Sequence, residues 1–209
     1  MITNQAHVFI TFEGIDGSGK STQIKRLQHN LEEEGARVTV FRDPGGSEVS
    51  EEVREILLNP EFEIDPVTEL LLFSAARSQL MAEKVLPSLE DGAVVILDRF
   101  YDSTTAYQGY GRQSVSLDEI AKMNAIASHK RAPDLTIYMD IPLEQAKRRM
   151  AQNKDRMEQA GDAFFEKVIS GFRKLAESED RFFTVDATQP TDQVHDRIWE
   201  YVQGYFSRR

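Results

Sequence analysis

The sequence predicts an α/β fold, a five-stranded parallel sheet with helices on both faces, and three observations predict it. Short β-favouring runs alternate with stretches of helical period from one end to the other. One run, Ala93-Val-Val-Ile-Leu97, is apolar without a break, as a strand covered on both faces must be. A glycine-rich turn, Gly14-Ile-Asp-Gly-Ser-Gly-Lys-Ser21, separates the first run from the first helical stretch, and right-handed crossovers between such units build a parallel sheet.

In chain order, His7 to Phe12 is a β-favouring run and Lys20 to Glu34 a helical one that Gly35 terminates. Arg37 to Phe41 forms the second strand, and the turn residues Asp43-Pro-Gly-Gly46 follow. Ser47 is placed to cap a helix through about Leu58. Pro66 opens another, with Leu70, Leu71, Phe73, Ala76, Leu80 and Val85 on a broad apolar face. The third strand, from Ala93, ends on Asp98, and a helix from about Ser116 to Ser128 leads to the fourth, Leu135 to Met139. Pro142 opens a basic helix toward Met150, and Phe164 to Glu177 is helical. Phe182 to Val185 is the fifth strand, after which Thr191 is expected to cap a helix that turns Val194, Ile198, Val202 and Tyr205 inward. A single domain over 1–209, with a short mobile lid at about 147–161, accounts for the whole chain.

Composition narrows the function. With 40% hydrophobic and 29% charged residues among 209, the chain is of globular type, and its formal charge of −10 argues against a nucleic-acid binder. There is no cysteine, so thiol chemistry and disulfides are excluded. No apolar stretch approaches the ~20 residues of a membrane span, and the expectation is a cytoplasmic protein that does not act at a membrane. His7, His29, His129 and His195 lie far apart and suggest no metal cluster.

Gly14 to Ser21 fits G-x-x-x-x-G-K-[ST] in its required context, after a strand and before a helix, which points to the three-layer fold of the P-loop NTPases. The glycines Gly14, Gly17 and Gly19 let the amides of the loop, Ile15, Asp16 and Ser18 included, curl around ATP phosphates. Lys20 reaches the terminal phosphates and Ser21 can ligate Mg2+. Asp98 sits where a second carboxylate could bind the same ion, although a turn or helix cap explains it equally well. A guanine-nucleotide switch is disfavoured, because Asn153-Lys-Asp-Arg156 carries Arg where the guanine-reading Asp would stand. A motor ATPase usually has further domains. A compact kinase remains, and the basic run Lys147 to Arg156 suits a lid that excludes water; a solvated charged face is the alternative.

Five segments together carry a resemblance. They are Phe12-Glu-Gly-Ile-Asp-Gly-Ser-Gly-Lys-Ser-Thr22, Arg42-Asp-Pro-Gly-Gly46, Leu71-Leu-Phe-Ser-Ala-Ala-Arg77, Asp98-Arg-Phe-Tyr-Asp-Ser-Thr-Thr-Ala-Tyr-Gln108 and Pro133-Asp-Leu-Thr-Ile-Tyr-Met-Asp140. Over essentially its whole length the chain resembles the bacterial thymidylate kinases, which implies ATP-dependent phosphorylation of dTMP to dTDP. By that resemblance Phe73 stacks on thymine, Arg77, Ser103, Thr104 and Gln108 surround the base, and Tyr107 lies at the sugar edge, where it disfavours a 2′-hydroxyl. Alone, Phe73 and Tyr107 would read as core aromatics. Arg42 and Arg99 would hold the acceptor phosphate and the group in flight, with Asp16 and Asp43 near the sugar and magnesium, and Asp186-Ala-Thr-Gln-Pro190 seating adenine. The family more often has Glu where Asp43 stands.

The resemblance further implies a catalytic arginine in either the phosphate loop or the lid. Ile15-Asp-Gly-Ser18 has none, and Gln152 falls near the place where some members carry Arg, which leaves Arg148, Arg149, Lys154 and Arg156, with Arg149 and Arg156 favoured. A homodimer through helices is also implied, and the apolar helix around Leu70 to Leu86 could serve it or simply pack in the core. The competing readings are a kinase for another small acceptor, such as a deoxynucleoside, and a non-catalytic nucleotide-binding module.

Overall fold

The computed structural model describes residues 7–150 and 156–208. Five strands form one parallel sheet: β1 Phe9–Glu13, β2 Val38–Arg42, β3 Val94–Asp98, β4 Leu135–Asp140 and β5 Phe182–Asp186, in the order β2-β3-β1-β4-β5. Each lies within two residues of its expected place at both ends, because the apolar runs are short and the turns beside them carry glycine, proline or aspartate. The all-parallel sheet with helices on both faces is the three-layer arrangement expected.

Side-chain alternation divides the core. Ile10 and Phe12 of β1 and Val94 and Ile96 of β3 join Ile24, Leu27 and Leu31 on one face, while Phe9, Val95 and Leu97 join Leu80, Met81 and Val85 on the other. Full burial of each such side chain stabilises by about 1.5–3 kcal/mol. The helices are α1 Lys20–Glu33, α2 Glu48–Leu58, α3 Pro66–Leu80, α4 Leu86–Glu90, α5 Tyr101–Thr104, α6 Leu117–Ala127, α7 Leu143–Arg149, α8 Asp162–Ser178 and α9 Thr191–Ser207. Ser47 caps α2, accepting from the Ser50 amide at 3.4 Å, and Ser116 with Glu119 closes a capping box on α6.

Three local expectations change. The helix from Pro66 runs on through a π-helical turn, Met81–Val85, into α4, where Pro87 cannot donate to the preceding turn and the coil widens instead. Thr191 is the first residue of α9 and not its cap; Pro190 holds the cap position, and the Thr191 carbonyl instead accepts from Gln23 Nε2 at 3.0 Å. Finally, α5 continues as a π-helical segment, Thr105–Arg112, which the sequence did not announce. Gly109 and Gly111 oppose a helix there, yet a Cβ on Gly111 would press on Phe164 of α8, so packing demands the glycine that propensity disfavours.

In-register pairing aligns the carboxyl ends of the central strands. Phe12 and Arg42 both pair with Asp98, so the loops after β1, β2 and β3 open side by side. The strand order turns about β1, and a ligand crevice belongs beyond such a turning point. Residues 151–155 of the expected lid lie outside the described residues; its flanks are the end of α7 and a short 3₁₀ turn, Glu158–Ala160.

Candidate active site

The loop from Gly14 leads from β1 directly into α1, whose cap position is Gly19 at φ 93° with no side chain capping the first amides. Those unpaired N–H groups and the helix dipole make a seat for anions. Gly17, at φ 77°, is required twice over: its backbone is left-handed, and a Cβ would overlap the Ala146 carbonyl of α7. The loop borders a cavity of about 920 Å³ that also takes in Arg42, Asp98, Arg99, Arg149 and Ala187 to Thr191. Buried Lys20 donates to the Gly14 and Ile15 carbonyls at 2.9 and 3.1 Å. Its pKa is lowered, first by burial and then by Arg99. Ser21 Oγ donates to Asp98 Oδ2 at 3.3 Å, so the two expected magnesium ligands meet at the mouth of the loop.

Arg99 is a non-glycine residue at φ 69°, an uncommon conformation that calls for a functional reason. Its own amide donates to Phe12 O at 2.9 Å, and the next, Phe100 N–H, to Glu13 Oε1 at 2.8 Å. The guanidinium donates to Gly14 O at 2.8 Å, to Ser103 Oγ at 3.2 Å and to Asp16 Oδ1 at 2.7 Å, and it sits 5.2 Å from the centre of the Tyr107 ring. Burial opposes ionisation of Asp16, but Arg99 and Lys20 outweigh it and hold its pKa at about 2. Glu13 goes the other way, pushed up to about 8 by burial and then by Asp102, although Ser103 donates to it at 2.6 Å.

A narrower cleft adjoins the first. Phe73 of α3, Tyr107 and Gln108 of the π-helical segment, Ser103, Thr104 and Arg77 line it, with Met157 at the lid side. Arg77, 1% exposed, donates through Nε to Asp43 Oδ2 at 2.5 Å and through Nη2 to Thr104 Oγ1 at 2.7 Å. Asp43 Oδ1 is buried with no protein partner among the described residues, on the wall of this cleft. Asp16, Asp43, Arg54 and Arg99 line both cavities.

The favoured lid arginines part company. Arg149 borders the larger cavity and donates to Ala187 O at 2.9 Å, beside a turn in which Asp186 accepts from Thr188 and Gln189. Arg156 is held away from it, donating to Leu57 O at 2.7 Å and paired with Glu69 at 2.7 Å. Gln152 and Lys154 lie outside the described residues.

The thymidylate kinase family model matches residues 12–198. The chain belongs to the thymidylate kinase family. It is 45% identical to the thymidylate kinase of Chlorobaculum parvum, over 94% of this chain and 96% of that one. It is 46% identical to that of Thermoanaerobacter sp. strain X514, over 94% and 98%. The crystal structure of thymidylate kinase from Ehrlichia chaffeensis superimposes with a TM-score of 0.78 at 32% identity, covering 95% of this chain and 99% of that one. Among the described residues no helix is long and apolar enough to cross a membrane.

Three residues at this candidate site escaped the sequence reading. Arg54 reaches both cavities from the second turn of α2 and donates to Pro44 O at 2.9 Å; its signal was position, since α2 begins just after Asp43-Pro-Gly-Gly46. Glu13 adjoins the phosphate loop but reads as a strand-end polar residue. Glu69 reads as a first-turn acid favoured by the dipole of α3, and nothing in the sequence announces that it is fully buried.

Proposed function

We propose that this protein moves the terminal phosphoryl group of ATP onto dTMP within the two joined cavities, with each residue in the role its position supports. The reaction itself, ATP-dependent phosphorylation of dTMP to dTDP, follows from family membership. The observation that carries the residue assignment is the shared wall: Asp16, Asp43, Arg54 and Arg99 border the phosphate cradle and the aromatic cleft alike, which is where a group passing between donor and acceptor must travel.

In this reading the amides from Gly14 to Ser21 and the Lys20 ammonium hold the ATP phosphates, and Asp186 to Pro190 seat adenine. Ser21 and Asp98 suit Mg2+, being hard oxygen donors 3.3 Å apart at the cradle mouth. When bound, the ion neutralises phosphate charge. Arg42, Arg54 and Arg99 hold the acceptor phosphate, whose ionised oxygen attacks the terminal phosphorus in line as the bond to the ADP oxygen breaks; alignment and charge neutralisation supply the catalysis. Phe73 stacks on the base, Arg77, Ser103, Thr104 and Gln108 contact it, Tyr107 lies against the deoxyribose, and Asp16 and Asp43 approach the sugar. Of the lid arginines Arg149 is the better placed for catalysis, since Arg156 would have to leave Glu69 and Leu57 to reach the donor.

A cytoplasmic location, where both nucleotides are supplied, and a homodimer complete the reading. Exposed Val49, Ile56, Val67 and Leu71 on α2 and α3 support the dimer. Coupled measurement of ADP release with dTMP, dUMP, CMP, AMP and thymidine tests the substrate: a preference for any acceptor but dTMP sinks it. Arg149→Ala should lower turnover with little change in ATP affinity, and Arg156→Ala should lower it less.

A further inference from the structure

Behind the acceptor cleft lies a carboxylate that the phosphoryl transfer does not use. Glu69, in the first turn of α3, is 0% exposed and has both oxygens occupied. Oε1 accepts from Gln108 Nε2 at 2.9 Å and from Arg112 Nε at 3.2 Å. Oε2 accepts from Arg112 Nη2 at 3.2 Å and from Arg156 Nη1 at 2.7 Å. Burial alone would favour the neutral acid, but the donors from Arg112, Gln108 and Arg156 outweigh it and hold the group below its usual pKa. An ionised carboxylate only accepts hydrogen bonds.

That asymmetry decides a question usually left to assignment, namely which end of the Gln108 amide points where. Only the NH2 end can face Glu69. The carbonyl is then the group Gln108 has left for the cleft, whose wall it forms beside Phe73, Arg77 and Tyr107. Thymine and uracil carry an N–H at position 3, whereas cytosine carries a bare acceptor nitrogen there. A fixed carbonyl pairs with the first and confronts the lone pair of the second, and a buried mismatch of this kind discriminates more strongly than a small change of shape.

We infer that Glu69 is a positioning residue for base selection, holding the Gln108 carbonyl toward the acceptor base so that pyrimidines with an N3–H are accepted and cytosine is rejected. The inference rests on the reading that Gln108 contacts the base, and the test separates the two. In Glu69→Gln, the new side chain can give its carbonyl to the arginines and its NH2 to the Gln108 oxygen, which turns the Gln108 NH2 toward the base. In Glu69→Asp the charge stays with the arginines but the reach to Gln108 shortens by one methylene.

The measurement is kcat/KM for dTMP, dUMP and dCMP, with dCMP also assayed as a competitive inhibitor, on proteins checked for folding by circular dichroism. The dTMP over dCMP preference should fall about tenfold or more in Glu69→Gln and less in Glu69→Asp. The dTMP over dUMP preference should hold, since it depends on the 5-methyl group; general damage to the cleft would move both. In a Gln108→Leu background, Glu69→Gln should change the dTMP over dCMP ratio no further. An unchanged ratio in Gln108→Leu removes the base-contact reading and this inference with it. A changed ratio there, with the native ratio kept in Glu69→Asp and in any folded Glu69→Gln, overturns the inference alone.

Discussion

The proposed phosphate cradle and the proposed acceptor cleft share a wall and are built by opposite means. The cradle is one contiguous run, Gly14 to Ser21, held by left-handed glycines and by Lys20 bonding to carbonyls five and six residues back. The cleft gathers side chains from the turn after β2, from α2, α3 and α5 and from the π-helical segment, and it is braced by ion pairs between distant residues, fully buried Asp43 with Arg77 and buried Glu69 with half-buried Arg112. A contiguous site keeps most of its function in charges that are costly to bury and contribute little to stability. A dispersed site uses the same groups for binding and for folding. Substitutions in the cradle should therefore lower turnover far more than stability, and those in the cleft should lower both.

The largest effect expected is on turnover. If Lys20 holds the donor phosphates as proposed, Lys20→Met removes the charge that neutralises them, and kcat should drop about a thousandfold. Stability should change by under about 1 kcal/mol, because relief of a desolvated charge offsets two lost hydrogen bonds. Urea denaturation beside steady-state kinetics checks the pair of values, and a large loss of stability would erase the contrast between cradle and cleft. Next is Arg77→Met, which strands the Asp43 carboxylate in the core and should cost about 3–5 kcal/mol along with dTMP affinity. Adding Asp43→Leu should restore most of the stability and none of the affinity; if affinity returns as well, the ion pair is scaffolding only.

Gly17→Ala sharpens the comparison from the other side. Its left-handed backbone and the approach of the Ala146 carbonyl should make the substitution cost about 1–3 kcal/mol and raise the KM for ATP, so that even the contiguous cradle depends on α7 at one point.

An effect of pH falls at the seam between the two regions. The Glu13 pKa rises from an ordinary 4.5 to about 8 on folding, by burial and then by Asp102, so its contribution is complete below about 4.5 and is lost as pH climbs to about 8. Asp16, depressed to about 2, loses its contribution only on acidification from 3.8 through about 2 and leaves that window untouched. Stability of the native protein relative to Glu13→Gln should therefore decline from about pH 4.5 to 8; parallel curves would mean that Glu13 is ionised throughout.

Much of the donor side was legible because its signals are local. A nucleotide loop announces itself by glycines at fixed spacing, and strands buried on both faces announce themselves as apolar runs such as Ala93 to Leu97. The acceptor side was legible only through resemblance. By composition alone Phe73 belongs to an apolar face, Arg77 to a helix surface and Glu69 to a solvated first turn, yet Arg77 and Glu69 are among the most deeply buried charges described. The coil from Thr105 to Arg112 went unread since Gly109 and Gly111 speak against a helix, while contacts with Leu117 and Phe164 make glycine necessary at those two places.

What the amino-acid sequence determined by itself was the order of strands and helices, the phosphate cradle and the exclusion of thiol chemistry, all properties of neighbours along the chain. What only tertiary structure decided was which charges meet: that Ser21 lies against Asp98, that Arg99 bridges Gly14 and Asp16, that Arg156 is held by Glu69 while Arg149 borders the larger cavity. The reason is range. Backbone preference and side-chain period act over a few residues, whereas a buried ion pair exists only once the sheet has brought its two partners together and removed the water between them.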